Sequence, residues 1–410
     1  MVYMDEIEAP DHSMERHFDR SLNFGGTGNE GKFVLANAYS RDGIHWRMNV
    51  GNYIYFEPPI VPNGVLFGWD PRRHLFVHYH KMTTQRHADI DGRTIRSDYN
   101  FVSTTSSDFE RWGNTSVMPR YIWGETPPNN PRQPGSDLAA ILYTSDLYIG
   151  IMPTNTSIQV EEVSENLWDI ARWEGSESST ELLSSRDGAN WKRVSPHWPF
   201  LRPGLFGTWD RECSIPAKPI VHNDQILIYY FGGNVPSAYT RAGHPQYHLL
   251  NKFVDGKRIG YAIGLATMRL DGFASMDGYE PGGTLVTRAF VFAGDRLVIN
   301  FRAPEKPFGS QGARNDFFGT VTVEILDAGG HPLSGYAAAD CDLISGDAIR
   351  KVVTWRGNSD LRDASGKPIR LKFYLKNAAL YAFQFMEKDS EWPTSLACAG
   401  CRGKPQRPKQ

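Results

Sequence analysis

Ser185-Arg186-Asp187-Gly188-Ala189-Asn190-Trp191 reads as a turn written out in sequence. Asp can hydrogen-bond its own backbone, and Gly takes positive φ without steric penalty, so Asp-Gly supplies a tight reversal. The Trp that follows re-enters a core. The phrase recurs as Ser40-Arg-Asp-Gly-Ile-His-Trp46 and, degenerate, as Ser107-Asp-Phe-Glu-Arg-Trp112, with a weaker echo at Met268-Arg-Leu-Asp-Gly-Phe-Ala-Ser275. Each copy follows an apolar run and precedes a change of direction. Generic hairpin chemistry does not account for three similar copies. Intervals of roughly 65 to 85 residues suit a four-stranded propeller blade enlarged by loops.

Working outward from these turns, short β-rich runs occupy Lys32 to Tyr39, Leu75 to His80, Ala140 to Met152, Gln225 to Phe231 and Arg258 to Leu270. Helical periodicity is almost absent; Gln159 to Trp173 is the best helical candidate. The reading is all-β: a five-bladed β-propeller over residues 20–278, after an extension at 1–19. Beyond Asp277-Gly-Tyr-Glu-Pro-Gly-Gly283 the pattern changes to regular strands at Thr284 to Phe292, Arg296 to Phe301, Gly319 to Leu326, Ile349 to Trp355, Ile369 to Leu375 and Ala379 to Phe385. Separated by Gly/Asp turns, they predict a β-sandwich over 279–386. The Pro- and Lys/Arg-rich remainder, 387–410, is expected to be a disordered tail, its Cys398-Ala-Gly-Cys401 included.

Composition narrows the function. A length of 410 residues accommodates two or three cores. A net charge of −2 offers no general attraction for nucleic acid or an anionic membrane, and no apolar run approaches the ~20 residues of a membrane span. The start Met1-Val2-Tyr3-Met4-Asp5-Glu6 lacks the apolar core of a signal peptide, which predicts a cytoplasmic protein or one whose export signal lies outside this sequence. The aromatic share is high at 12%, with 11 Trp and 18 Tyr, and exposed aromatic faces stack on sugar rings or bases. The charge makes the nucleic-acid reading weak, and composition goes no further towards a partner. The oligomeric state is not legible.

Chemistry concentrates at Gly207-Thr-Trp-Asp-Arg-Glu-Cys-Ser214. Asp210 and Glu212 stand at i and i+2 with Arg211 between them and Trp209 before. If Trp209 to Cys213 is extended, the period-2 rule puts both carboxylates on one face. Two carboxyls on one face are the material of general acid/base catalysis. A surface turn whose acids face Arg211 and solvent is the alternative. Phe67-Gly-Trp-Asp-Pro71 offers Asp70 as a further carboxylate beside Trp69, the competing reading being a turn-forming Asp-Pro. His78 and His80 share a strand face; ordinary strand-face histidines are the favoured reading, with sugar contact the next candidate and zinc ligation behind it because a site needs three or four ligands. Asn130 lies in the stiff loop Thr126-Pro-Pro-Asn-Asn-Pro131. No cofactor is required; a structural calcium is compatible with the reading but not predicted.

These repeats, together with Ile263-Gly-Leu-Ala-Thr-Met-Arg-Leu-Asp-Gly-Phe-Ala-Ser275, resemble glycoside-hydrolase-like proteins of the invertase, levansucrase and arabinanase superfamily, above all bacterial members of the family 32-like and 43-like kind. Gly282-Gly-Thr-Leu-Val-Thr-Arg288, Ala339-Asp-Cys-Asp342 and Val353-Thr-Trp-Arg-Gly357 are similar to phrases of that group's sandwich. The resemblance implies a propeller followed by a sandwich, with carboxylates in the propeller funnel. It implies Glu212 as the acid, with Trp209-Asp210 matching a Phe/Trp-Asp pair of nearer relatives, and Asp70 as a second carboxylate. The Asn-Asp-Pro-Asn-Gly-like segment of invertases is absent. A base then comes from elsewhere, with Asp19, Glu30 and Asp137 as loose candidates, or the protein binds carbohydrate without hydrolysing it.

Overall fold

The computed structural model describes residues 2–7, 32–42, 44–48, 64–88, 95–109, 112–117, 132–134, 138–158, 175–195, 198–205, 208–234, 252–254, 256–258, 260–304, 318–388 and 390. Among them every helix-length element is a strand, and the sheets are antiparallel. The helical candidate Gln159 to Trp173, the loop with Asn130, the acids Asp19, Glu30 and Asp137, and the Cys398–Cys401 tail lie outside the described residues.

Strands β1 (Val2–Ile7), β2 (Lys32–Tyr39) and β3 (Arg47–Met48) form the first sheet. Pairing of β1 with β2 runs unbroken from Val2↔Asn37 to Ile7↔Lys32, so part of the expected extension joins a sheet. The second sheet is β4 (Gly64–Asp70), β5 (Leu75–Ala88), β6 (Ile95–Ser106) and β7 (Gly113–Val117) in order. The third combines β8 (Arg132–Pro134), β9 (Ala139–Thr144), β10 (Leu147–Ile158), β11 (Gly175–Ser185) and β12 (Trp191–Arg193). The fourth is β13 (Glu212–Pro216), β14 (Ile220–His222) and β15 (Gln225–Gly233). A ribbon of β16 (Phe253–Val254) and β17 (Lys257–Arg258) precedes β18 (Tyr261–Arg269), which pairs with β15.

The repeated phrase explains these sheets. Ser185 Oγ donates to Asp187 Oδ1 at 2.9 Å and accepts the Asp187 and Gly188 N–H groups, while Asp187 Oδ1 accepts from Ala189 and Asn190 N–H. Ser40 and Asp42 repeat the arrangement on Ile44 and His45. In the second copy the serine that does this is Ser106 rather than Ser107: its Oγ meets Asp108 Oδ1 and the N–H of Asp108 and Phe109. The aligned phrase is therefore Ser106-x-Asp-Phe109-x-x-Trp112, with Phe109 at φ 67° where the third copy has Gly188 at 71°. Burial alone would raise the Asp187 carboxyl. Hydrogen bonds from the Asn190 side chain, the Asn190 and Ala189 N–H groups and the Ser185 hydroxyl instead hold it at about 2.

The Trp closing the third copy packs as expected, whereas Trp46 of the first copy stays exposed and Trp112 of the second is half-buried. Trp191 lies edge-on to Tyr79 at 5.8 Å and Tyr148 at 6.4 Å, in a core with Phe67, Val77, Leu138, Ala140, Met152 and Leu183. The Tyr79 hydroxyl donates to Gly188 O at 2.6 Å, tying the turn to β5.

The chain divides into two compact units, one of Met1–Ile220, Leu227–Ala266 and Leu396–Gln410, the other of Val221–Ile226 and Thr267–Ser395. In the second, β19 (Met276–Gly278), β20 (Gly283–Val286), β21 (Phe290–Val291), β22 (Arg296–Ala303), β23 (Thr320–Asp327), β24 (Gly346–Val352), β25 (Pro368–Lys376) and β26 (Ala378–Met386) form two four-stranded sheets. Their orders are β19-β26-β22-β24 and β20-β25-β21 with β23 on β25. Alternate residues Leu297, Ile299 and Phe301 of one sheet, and Val321, Val323, Ile325, Leu371, Phe373 and Leu375 of the other, share one apolar core with Trp355. That is a sandwich's alternation. Two of its phrases meet in space: Asp342 N–H donates to Thr354 O, Arg356 N–H to Asp340 O, and Asp342 Oδ2 accepts from Gly357 N–H at 2.8 Å.

Gly188 is constrained twice. Its φ is left-handed, and a Cβ there would sit 3.1 Å from the Tyr148 ring and 3.3 Å from the Tyr79 hydroxyl. Gly188→Ala is expected to destabilise by about 1–3 kcal/mol in urea unfolding. Gly256→Ala, at φ 74° with no atom within 4 Å of its Cβ, should lose less; equal losses would refute the packing argument.

Candidate functional site

The segment holding Asp210 and Glu212 does not run extended throughout. Trp209 and Asp210 lie in a turn, and β13 begins only at Glu212. Backbone bonds curl the chain: Gly204 N–H donates to Asp210 O at 2.8 Å and Thr208 N–H to Leu205 O at 3.0 Å. The period-2 rule therefore does not relate the two acids. Their proximity follows from adjacency at the entrance of β13, where Glu212 pairs with Gly233 of β15.

Asp210 is held by hydroxyls. Thr208 Oγ1 lies 3.0 Å from Asp210 Oδ1, and Tyr230 OH donates to Asp210 Oδ2 at 2.9 Å. Trp209 stacks on the same tyrosine, ring centroids 5.8 Å apart and planes at 23°, while staying 43% exposed. Glycines make room for this contact. A Cβ on Gly232 would lie 3.1 Å from Asp210 Cβ and 3.2 Å from the Trp209 ring; one on Gly264 would lie 2.7 Å from Trp209 and 2.5 Å from Tyr230. A Cβ on Gly204 would collide with the Asp210 carboxylate and the Thr208 hydroxyl. Gly232 and Gly233 end β15, where the missing side chain admits neighbouring rings, Tyr261 against Gly233 included. Tyr230, Thr208 and Gly204 were not among the expected site residues. The Tyr-Tyr before Gly-Gly was a sequence signal for Tyr230 alone. Arg211 is half-buried beside this turn.

Asp70 is placed differently. It ends β4, is fully buried, and accepts Tyr148 OH at 3.1 and 3.0 Å together with the Arg72 and Arg73 N–H groups at 3.0 and 3.2 Å. A carboxylate so enclosed caps its Asp-Pro turn and is not presented to a substrate, which favours the turn-forming reading. Burial first, then the bond to Asp70, pushes the Tyr148 hydroxyl well above its ordinary range. The neighbouring Trp69 is 45% exposed and leans edge-on against Phe76 at 5.0 Å. Lys218 caps the β4 irregularity, its Nζ donating to Phe67 O at 2.7 Å.

The two histidines do lie on one strand, β5, at i and i+2. His78 is buried against Trp112, ring centroids 6.4 Å apart, so the sugar-contact expectation gives way to a core role. His80 pairs by backbone with Gly64 and Val102. Among the described residues no group of three or more His, Cys, Asp or Glu is arranged to hold a metal ion.

No family model matches the chain, and no curated protein matches it. Among solved structures it aligns with an N-acetylgalactosamine deacetylase from F. plautii in complex with blood group B trisaccharide, at 16% identity and a TM-score of 0.36. That alignment covers 61% of this chain and 66% of the other. A structure described as a glycoside hydrolase aligns at 14% identity and TM-score 0.31, over 58% and 56%. A GH32 beta-fructofuranosidase of Bombyx mori aligns at 10% and 0.31, over 88% and 75%. The chain thus spans under two thirds of the length of the first two. No residue role is carried over from these alignments, and the site rests on its own geometry.

Burial pushes the His78 imidazolium down to about 3 from 6.5. Between those values the unfolded chain binds a proton that the folded chain refuses, so this contribution is complete above pH 6.5 and lost as pH falls towards 3. Unfolding free energy should drop by up to about 1.4 kcal/mol per pH unit through that window. His78→Gln should flatten the slope; an unchanged slope would place the proton elsewhere.

Proposed function

We propose that this chain acts on a glycan, cleaving a glycosidic bond with Asp210 and Glu212 as its carboxylate pair. One observation carries the reading: a carboxylate fixed by two hydroxyls stands beside a half-exposed indole that is itself stacked on one of the donors. The indole offers the apolar face on which a sugar ring stacks. Both Asp210 oxygens act as acceptors, an arrangement suited to a base, a nucleophile or a group facing the positive charge that develops on the sugar. The donor role is then left to Glu212 at the start of β13. Separations of roughly 5–5.5 Å between such carboxyls go with retention, and roughly 6.5–9.5 Å with inversion. Asp70 is assigned to its turn. A five-bladed propeller over residues 20–278 belongs to the same proposal, supported by the repeated Ser-x-Asp turn.

Product release from a panel of oligosaccharides and polysaccharides, read as new reducing ends, tests this with the full chain. Asp210→Asn and Glu212→Gln should each lower kcat at least 100-fold, within the roughly 10²–10⁴ that a positioned acid or base contributes, with melting temperatures near that of the parent. Trp209→Ala should act mainly on KM. Undiminished turnover in both carboxylate variants would sink the assignment. Glycan binding without product from the parent chain would favour a carbohydrate-binding protein instead.

A further inference from the structure

The second compact unit carries a recess that glycan cleavage at Asp210 does not use. It opens on the outer face of the sheet containing β20, β25 and β23, has a volume of about 330 Å³, and is lined by Thr284, Thr320, Thr322, Tyr374 and Lys376, with Pro281 to Gly283 and Leu375 completing it. Strand alternation puts them there. Val321, Val323, Phe373 and Leu375 point into the core, so their neighbours face out. Register then sets Thr284 and Thr322 on either side of Tyr374, a row of three hydroxyl-bearing side chains across the sheet, and sets Thr320 opposite Lys376.

Charge selects among ligands. Lys376 Nζ lies 3.3 Å from Glu280 Oε1, which also accepts Asn377 Nδ2 at 2.9 Å. Lys372 Nζ lies 3.7 Å from Glu324 Oε2, which accepts Tyr374 OH at 2.8 Å. Among the described residues, both lysines at the recess, Lys372 and Lys376, are thus matched by a carboxylate, which does not favour a phosphate or a carboxylate ligand there. The Lys372 ammonium covers one face of the Tyr374 ring at 4.6 Å, so recognition would rest on hydroxyls more than on stacking. The threonine hydroxyls can both donate and accept, while the Tyr374 hydroxyl, its proton on Glu324, can only accept, which matches a ligand rich in hydroxyls. A volume at the lower end of the roughly 300–1,000 Å³ of small-ligand sites suits one ring. We propose that this recess binds a single neutral sugar residue, in addition to any sugar bound at Asp210.

Saturation-transfer NMR on the full-length Trp209→Ala chain tests this, with D-glucose, D-galactose, D-fructose and L-arabinose as probes and glucose 1-phosphate as the anionic control. At least one neutral sugar should receive saturation, undisplaced by the phosphate. Adding Thr284→Val and Thr322→Val should weaken its Kd at least tenfold. In the parent chain the same sugar should slow amide exchange over residues 281–286, a readout that does not depend on the variant folding. No transfer in the Trp209→Ala chain, no effect of the valines on a folded protein, or stronger binding of the phosphate would overturn the recess. Sugar binding that vanishes with Trp209 alone would do so while leaving the Asp210 site standing. Recess binding in a chain that cleaves nothing would have the opposite meaning.

Discussion

Much of the first unit depends on one local constraint, the serine hydroxyl that bridges to an aspartate two residues on. Ser185 and Asp187 between them satisfy four backbone N–H groups within one reversal. Buried or half-buried turns need that satisfaction, because an unpaired amide away from water is expensive. The reversal then fixes where Trp191 enters the core and where Gly188 O meets Tyr79. The Ser106 hydroxyl likewise meets Asp108 and accepts the Asp108 and Phe109 N–H groups, and a Thr144–Asp146 pair repeats the contact in shortened form.

Environment sorts the carboxylates that the sequence presents as equals. Asp70 and Asp210 each follow a tryptophan, yet one is sealed beneath Tyr148 and its own turn while the other is half-buried beside an exposed indole. The difference arises from partners distant in sequence, Tyr148 for one and Tyr230 for the other. His78 follows the same logic: its strand position was readable, but its burial against Trp112 comes from packing.

In the second unit, phrases far apart in the chain prove to be halves of single devices. Asp340 to Asp342 and Thr354 to Gly357 exchange backbone and carboxylate bonds around the buried Trp355. Gly282 to Thr284 joins the rim of a recess that Thr322 and Tyr374 complete. At the recess the outer face of this sheet presents hydroxyls and paired lysines, whereas Val321, Val323, Ile325, Leu371, Phe373 and Leu375 turn to the core.

By itself the sequence determined the all-β class, most strand positions and the turn chemistry, because strand period and Ser-x-Asp capping act over a few residues. Strands at Lys32–Tyr39, Gln225–Gly233, Arg296–Ala303, Thr320–Asp327, Pro368–Lys376 and Ala378–Met386 fall where alternation put them, whereas the run Thr284 to Phe292 divides into two strands and that expected at Ile349 to Trp355 lies at Gly346–Val352. Adjacency alone also marked Trp209, Asp210 and Glu212 as a group. Only the tertiary structure decided that Asp210 sits in a turn rather than on a strand face, that Tyr230 and three glycines frame it, and that Asp70 is enclosed. Those outcomes rest on contacts between strands remote in sequence, whose side-chain approach is set by packing and by the absence of a Cβ, and neither leaves a periodic trace in the chain.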